Sequence, residues 1–223
     1  MSAIAQPQPL VYYPDDDGEP MSDNTVQFDW ITLIKCNLEH QFAGDPAVFV
    51  AGNHLIYPVE GHAKLRHAPD AYVAFGRPKV DRGSYKVWEE DGIFPQVVFE
   101  VWSPSNDAQN MEDRRGFYEQ YGAEEFYIVY PQFPSHAEGW MREAGRFVRI
   151  PEMDGWVSPR LVIRFAVGAD ALTLTGPGGR VFLTPAEIAA ERDAAEERAE
   201  AERLRAERLA ARLRELGVDP DAV

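Results

Sequence analysis

Between residues 48 and 131, the runs VFVAGNHLIYP, DAYVAFG, QVVFEVW and EFYIVYP are rich in β-branched and aromatic residues and separated by Gly- and Pro-containing loops. Such runs read as strands. The last two are separated by residues 108–121, where Met111, Arg114, Tyr118 and Tyr121 share one helical face before Gly122 stops the segment. A helix placed there crosses over from one strand to another, which predicts an α/β sandwich with mixed strand pairing.

The flanking segments complete the pattern. In residues 28–42, Ile31, Ile34, Leu38 and Phe42 recur at helical spacing before Gly44-Asp45-Pro46, predicting an amphipathic first helix. Downstream, GWMREAGRFVRIP and PRLVIRF are expected to be antiparallel strands that extend the sheet. Residues 1–25, with the acidic run Asp15-Asp16-Asp17, read as a mobile arm without chemistry. The expected organisation is an arm (1–25), a domain (26–183), a C-terminal helix (184–217) and a tail (218–223).

That helix should begin at Thr184-Pro185-Ala186-Glu187 and stop at Gly217 and Pro220. Its seam passes through Ala195, Ala199 and Glu202, then improves at Ala206, Leu209, Leu213 and Leu216, predicting a coiled coil and a homo-oligomer, with a dimer the simplest form. Residues 184–216 hold nine acids against seven Arg, so the helix is not a basic nucleic-acid arm.

The net charge of −15 repels a phosphate backbone overall. A local basic groove can still outvote a distant acidic surface, because screening cuts in at about 8 Å. The first residues lack a basic start and a long apolar run, and no stretch approaches the roughly 18 apolar residues of a membrane span. A cytoplasmic protein with no membrane contact is expected. Cys36, the single cysteine, permits no intramolecular disulfide and is expected to be a buried small apolar residue.

Two carboxylates fall on strand elements. Asp70 follows Pro69 at the start of one, and Glu100 lies inside VVFEVW, where alternation places it with Val98 and Trp102 on one face. Two acids converging from neighbouring strands offer hard oxygens suited to Mg²⁺ or Mn²⁺, which could activate water against a phosphodiester. The same spacing also allows Asp70 to be a turn residue and Glu100 to pair with an arginine such as Arg114.

Residues 48–131, through VAGNHLIYP, APDAYVAFG, RGSYKVWEE, FEVWSPS, the Tyr118-containing helix and EEFYIVYP, closely resemble the Uma-type putative restriction endonuclease family of the PD-(D/E)XK nuclease superfamily. The Arg/Glu/Ala-rich tail ending in LRELGVDP fits the same family. The resemblance implies a PD-(D/E)XK restriction-endonuclease-like core: helix, three strands, helix, strand, then additional strands and a long C-terminal helix. It implies Asp70 and Glu100 as ligands of Mg²⁺ or Mn²⁺, and DNA as substrate.

The resemblance is incomplete at the helix. The superfamily lysine would lie at Trp102, and the family pattern resembling Asp-x-x-x-Lys-x-x-x-Tyr falls on Asn110, Arg114 and Tyr118. Tyr130-Pro131 stands where the family often has Asp-Pro. Arg114 can bind phosphate or stabilise an oxyanion but cannot act as a neutral amine base. These features support two readings: a divalent-metal-dependent endonuclease with Asp70, Glu100 and Arg114 in its active site, or an inactive descendant serving as a binding or assembly module.

Other residues have more ordinary readings. Glu39 suits an exposed helix face better than an outer metal site. His54, His62 and His67 lack zinc-motif spacing and are expected in loops. Residues 79–88 could touch nucleic acid or simply form a loop packed by Tyr85 and Trp88. Ser105 or Asn106 is expected to cap the helix that follows.

Overall fold

A computed structural model describes residues 11–216 apart from Asp17, Glu19, Phe133 and Asp170. Residues 1–10 of the expected arm, Asp17 of its acidic run, the helix-stop residues Gly217 and Pro220, and the 218–223 tail lie outside the described residues. The chain divides into two units, Met1–Phe182 and Leu183–Val223.

The first unit opens with α1 (Thr25–Gln41), whose N-cap Asn24 accepts a hydrogen bond from the Gln27 amide at 2.9 Å. Ile31, Ile34 and Leu38 form its buried stripe, as their spacing requires. Next come β1 (Val48–Ala51), β2 (Ile56–Tyr57), β3 (Ala71–Phe75), β4 (Tyr85–Lys86) and β5 (Val97–Val101), then α2 (Ala108–Tyr121) and β6 (Glu125–Tyr130). Finally β7 (His136–Glu143), β8 (Arg146–Arg149), β9 (Arg164–Val167) and β10 (Leu172–Thr175) complete the unit.

Six strands form one sheet in the order β1-β3-β5-β6-β7-β8. Within this sheet only β5 and β6 pair in parallel, joined across one face by α2, and the other neighbours are antiparallel; β2 and β4 form a separate parallel pair. The fold is therefore mixed α/β, with this central sheet and a C-terminal helix. Its two faces are set by alternation. Val97, Phe99 and Val101 enter a core shared with α1. Val98, Phe126 and Trp140 enter the core beneath Met111, Phe117 and Tyr118 of α2. At the end of α2, Gly122 adopts φ 110°, a left-handed stop that turns the chain directly into β6.

Two local expectations, on PRLVIRF and on Cys36, are corrected. PRLVIRF does not extend the main sheet: its strand, β9, pairs with β10 in a separate two-stranded sheet. Apolar alternation fixes which side chains point inward but not which edge a strand joins. Within the segment expected to be a mobile arm, Tyr13 packs on Tyr57 and Trp88, and the Pro14 carbonyl accepts from the Tyr57 hydroxyl at 2.6 Å. Cys36 is half-buried, because it lies beside rather than on the Ile31–Ile34–Leu38 stripe.

The second unit contains α3 (Pro185–Glu215). Thr184 and Glu187 form a reciprocal capping box, and Arg203 pairs with Glu200 and Glu207 along the surface. Leu204, Leu209 and Leu216 are exposed. No helix among the described residues is long and apolar enough to cross a membrane.

Candidate active site

Strand pairing brings the two acids together. Ala71 of β3 stands opposite Phe99 of β5, so in this antiparallel register the preceding Asp70 falls opposite Glu100. Asp70 is more than a turn residue. Its Oδ2 accepts a hydrogen bond from the Val101 amide at 2.6 Å, and its side chain borders a cavity of about 530 Å³. The loop after β1 packs tightly behind it: a Cβ at Gly52 would meet the Asp70 carbonyl oxygen at 2.4 Å, so this position requires glycine.

Glu100 is wholly buried on the α2 face. Its Oε1 accepts from the Tyr118 hydroxyl at 2.6 Å and its Oε2 from Arg114 Nη1 at 2.7 Å. Arg114 Nε donates to Asn110 Oδ1 at 2.9 Å. The two departures at α2 are thus physically linked: the amide at Asn110 orients the guanidinium at Arg114, which reaches the strand carboxylate. Arg114 also borders the cavity. The pairing of Glu100 with Arg114, one of the alternatives open at the sequence level, is present, and it coexists with convergence of the acids. The remaining departures stack on one another, Trp102 against Tyr130 with ring centroids 5.3 Å apart.

Electrostatics follow from this packing. Burial, then the charge of Glu100, pushes the Asp70 carboxyl well above the usual range. Burial also raises Glu100, partly offset by Arg114 and by the Tyr118 hydrogen bond. The charge of Glu100 raises Arg114 further, so the guanidinium is permanently cationic. His67 borders the same cavity, and burial followed by the Arg114 charge lowers it to about 4, leaving it neutral at pH 7.

Three contributors carried no signal in the residue pattern. Asp23, from the segment expected to be chemically silent, borders the cavity and accepts hydrogen bonds from Ser103 and Ser105, which hold its carboxyl below the ordinary value. Lys64 and Arg66 border the cavity from the loop between β2 and β3. Neither the arm nor this loop has a periodicity that would have pointed inward; the Pro-Asp pair that follows Arg66 was the only marker.

Other expected residues lie elsewhere or serve as packing. Glu39 pairs on the surface with Lys35 at 2.7 Å. His54 contacts the Tyr72 hydroxyl at 2.6 Å and the Arg82 carbonyl at 3.1 Å, while His62 is exposed in a loop. In residues 79–88, Arg82 pairs with Glu90 and covers Phe49, and Tyr85 is buried. The helix cap is Asp107, not Ser105 or Asn106: its extended backbone lets Oδ1 accept from the Asn110 amide at 2.7 Å. Asn106 instead accepts from the Ser103 amide. Among the described residues, no group of three or more His, Cys, Asp or Glu side chains is placed to share a metal ion.

A family model described as "Uma2: Putative restriction endonuclease" matches residues 18–140, more than half of the chain. The chain belongs to this family. Its matched segment contains Asp70, Glu100, Arg114 and Tyr118. No curated protein matches. Among solved structures, a putative nuclease belonging to DUF820 from Anabaena variabilis ATCC 29413 aligns with a TM-score of 0.46 and 9% identity. The alignment covers 60% of this chain and 72% of that one.

Proposed function

We propose that this Uma2-family chain is a divalent-metal-dependent endonuclease of the PD-(D/E)XK type, hydrolysing DNA phosphodiester bonds at the cavity beside Asp70. The observation that carries this reading is the convergence of Asp70 and Glu100 from paired strands, with the Arg114 cation beside them.

The donor chemistry fits a hard dication. Mg²⁺ is commonly held by one or two carboxylates, with water and substrate phosphate completing its shell, so a third acid is not required. Burial first, and then repulsion from Glu100, raises the Asp70 carboxyl, and a dication beside it would favour the charged form. Asp70 and Glu100 would hold Mg²⁺ or Mn²⁺, with Arg114 releasing Glu100 Oε2 to do so. When bound, such an ion polarises the phosphoryl group and acidifies the attacking water. Arg114, always charged, stabilises negative charge building on the phosphoryl oxygens; it does not take up the proton. Tyr118 keeps the Glu100 carboxylate oriented.

A second reading, the inactive binding or assembly module, is favoured by one specific observation: Tyr118 and Arg114 engage both oxygens of Glu100. Thermal unfolding with and without Mn²⁺ separates the two, since a ligand that binds only the folded state stabilises it. The nuclease reading predicts a rise in Tm that disappears in Glu100→Gln. An unchanged Tm for the wild-type protein at millimolar Mn²⁺ would favour the module.

A further inference from the structure

Lys64 and Arg66 are cations gathered at an acidic protein's one candidate reaction site, and the structure gives them little else to do. Lys64 is exposed, borders the same cavity as Asp70 and Arg114, and has no hydrogen-bond or ion-pair partner among the described residues. Arg66, two residues on, donates to the Tyr57 hydroxyl at 3.3 Å and the Ala63 carbonyl at 3.4 Å, both long contacts to neutral oxygens. It also lies over the Tyr57 ring at 6.0 Å, and among the described residues no carboxylate pairs with it. Other cations near the sheet are paired with acids, Arg82 with Glu90 and Arg160 with Glu124, and Arg114 is assigned to the reacting group. Lys79 is also engaged, donating to the carbonyls of Phe42 and Ala43.

We propose that the β2–β3 loop is a phosphate clamp, in which Lys64 and Arg66 each grip a backbone phosphate of duplex DNA and draw the strand across the cavity toward Asp70. This deepens the nuclease reading by naming the residues that hold its substrate. It also resolves the conflict between a net charge of −15 and a polyanionic substrate. Arg66 stands three residues before Pro69-Asp70, so the segment that binds phosphate leads into the acid that borders the same cavity. Lys64 supplies a mobile point charge, and Arg66 a planar fork suited to two phosphate oxygens.

The test is the salt dependence of DNA binding by the full-length protein without added metal, read by anisotropy of a fluorescent duplex. Each phosphate contact on B-DNA contributes a slope of about −0.9 in log affinity against log salt. Lys64→Ala and Arg66→Ala should each reduce the slope by about one, and the double variant by about two. Each removed contact then makes the loss of affinity between 50 and 200 mM salt about 3.5-fold smaller. Lys79→Ala should retain the wild-type slope. Unchanged slopes in the Lys64 and Arg66 variants, or absence of wild-type binding at 50 mM salt, would overturn the clamp. Plasmid nicking with Mg²⁺ in the same samples reads the catalytic proposal separately: wild-type protein that binds with the expected slopes but never nicks retains the clamp and loses the nuclease.

Discussion

Glu100 and Glu125 lie on the neighbouring parallel strands β5 and β6, and both are wholly inaccessible to solvent. Each accepts a tyrosine hydroxyl, from Tyr118 and Tyr127 respectively, and burial raises both carboxyl groups. Their surroundings differ. Glu125, on the α1 face, is enclosed by short-range donors: the Ser158 hydroxyl at 2.5 Å and the Arg160 amide at 2.7 Å. It fastens the loop before β9 to the sheet. Glu100, on the α2 face, has a full cation and a second acid beside it, and both of these border the cavity. A buried, perturbed acid is therefore not a site by itself. The neighbouring acid, the cation and the opening distinguish one from a structural fastener.

The largest effect that should separate these regions comes from Arg114→Ala. Removing a preorganised charge from the reacting group should lower nicking by roughly 10²- to 10³-fold, measured by plasmid conversion at matched protein concentration. A comparable rate would show that Arg114 only neutralises Glu100. On the other side of the sheet, Glu125→Ala strands the Ser158, Tyr127 and Arg160 donors. It should cost about 3 kcal/mol, at the upper end for lost buried hydrogen bonds, and lower Tm by roughly 6–12 °C for a chain of this size. Differential scanning calorimetry reads this directly. A Tm within a degree of wild type would remove the fastener role.

Smaller effects concern pH. His67 is lowered from 6.5 to about 4, so the unfolded chain protonates first as pH falls. Its contribution to stability is present above pH 6.5 and is lost as pH drops toward 4, by up to about 3 kcal/mol. His67→Gln should flatten the acid side of a urea-unfolding profile over that window; an unchanged profile would contradict the burial argument. Asp70 has the opposite sign. Because burial and then Glu100 raise its carboxyl, protons compete with a cation there, so the Mn²⁺-induced rise in Tm should grow with pH. A rise independent of pH between 5 and 8 would place the ion away from Asp70.

Much of this frame was legible in the residues because periodicity carries it. The spacing of Ile31, Ile34 and Leu38, the alternation in VVFEVW and the stop at Gly122 fixed which faces of α1, β5 and α2 point inward. From those faces came the approach of Arg114 to Glu100. Features outside regular elements were hidden. Asp23, Lys64 and Arg66 reach the cavity through irregular backbone, where no repeat reports direction. The choice of Asp107 over Ser105 and Asn106 as helix cap was equally obscure, since all three are good capping types and only backbone conformation separates them. The pairing of β9 with β10 depended on which partner edge was available, which no strand states alone.

The most direct test of the central claim is nicking of supercoiled plasmid at low salt with Mg²⁺ or Mn²⁺, comparing wild type, Glu100→Gln and Glu125→Gln. Nicking by the wild type, retained within about threefold by folded Glu125→Gln and reduced in Glu100→Gln beyond the roughly 100-fold typical of changes around a metal's ligands, is the predicted result. A silent wild type, or equal loss in both variants at equal folded fraction, would contradict the claim that the Asp70–Glu100 face is a catalytic centre.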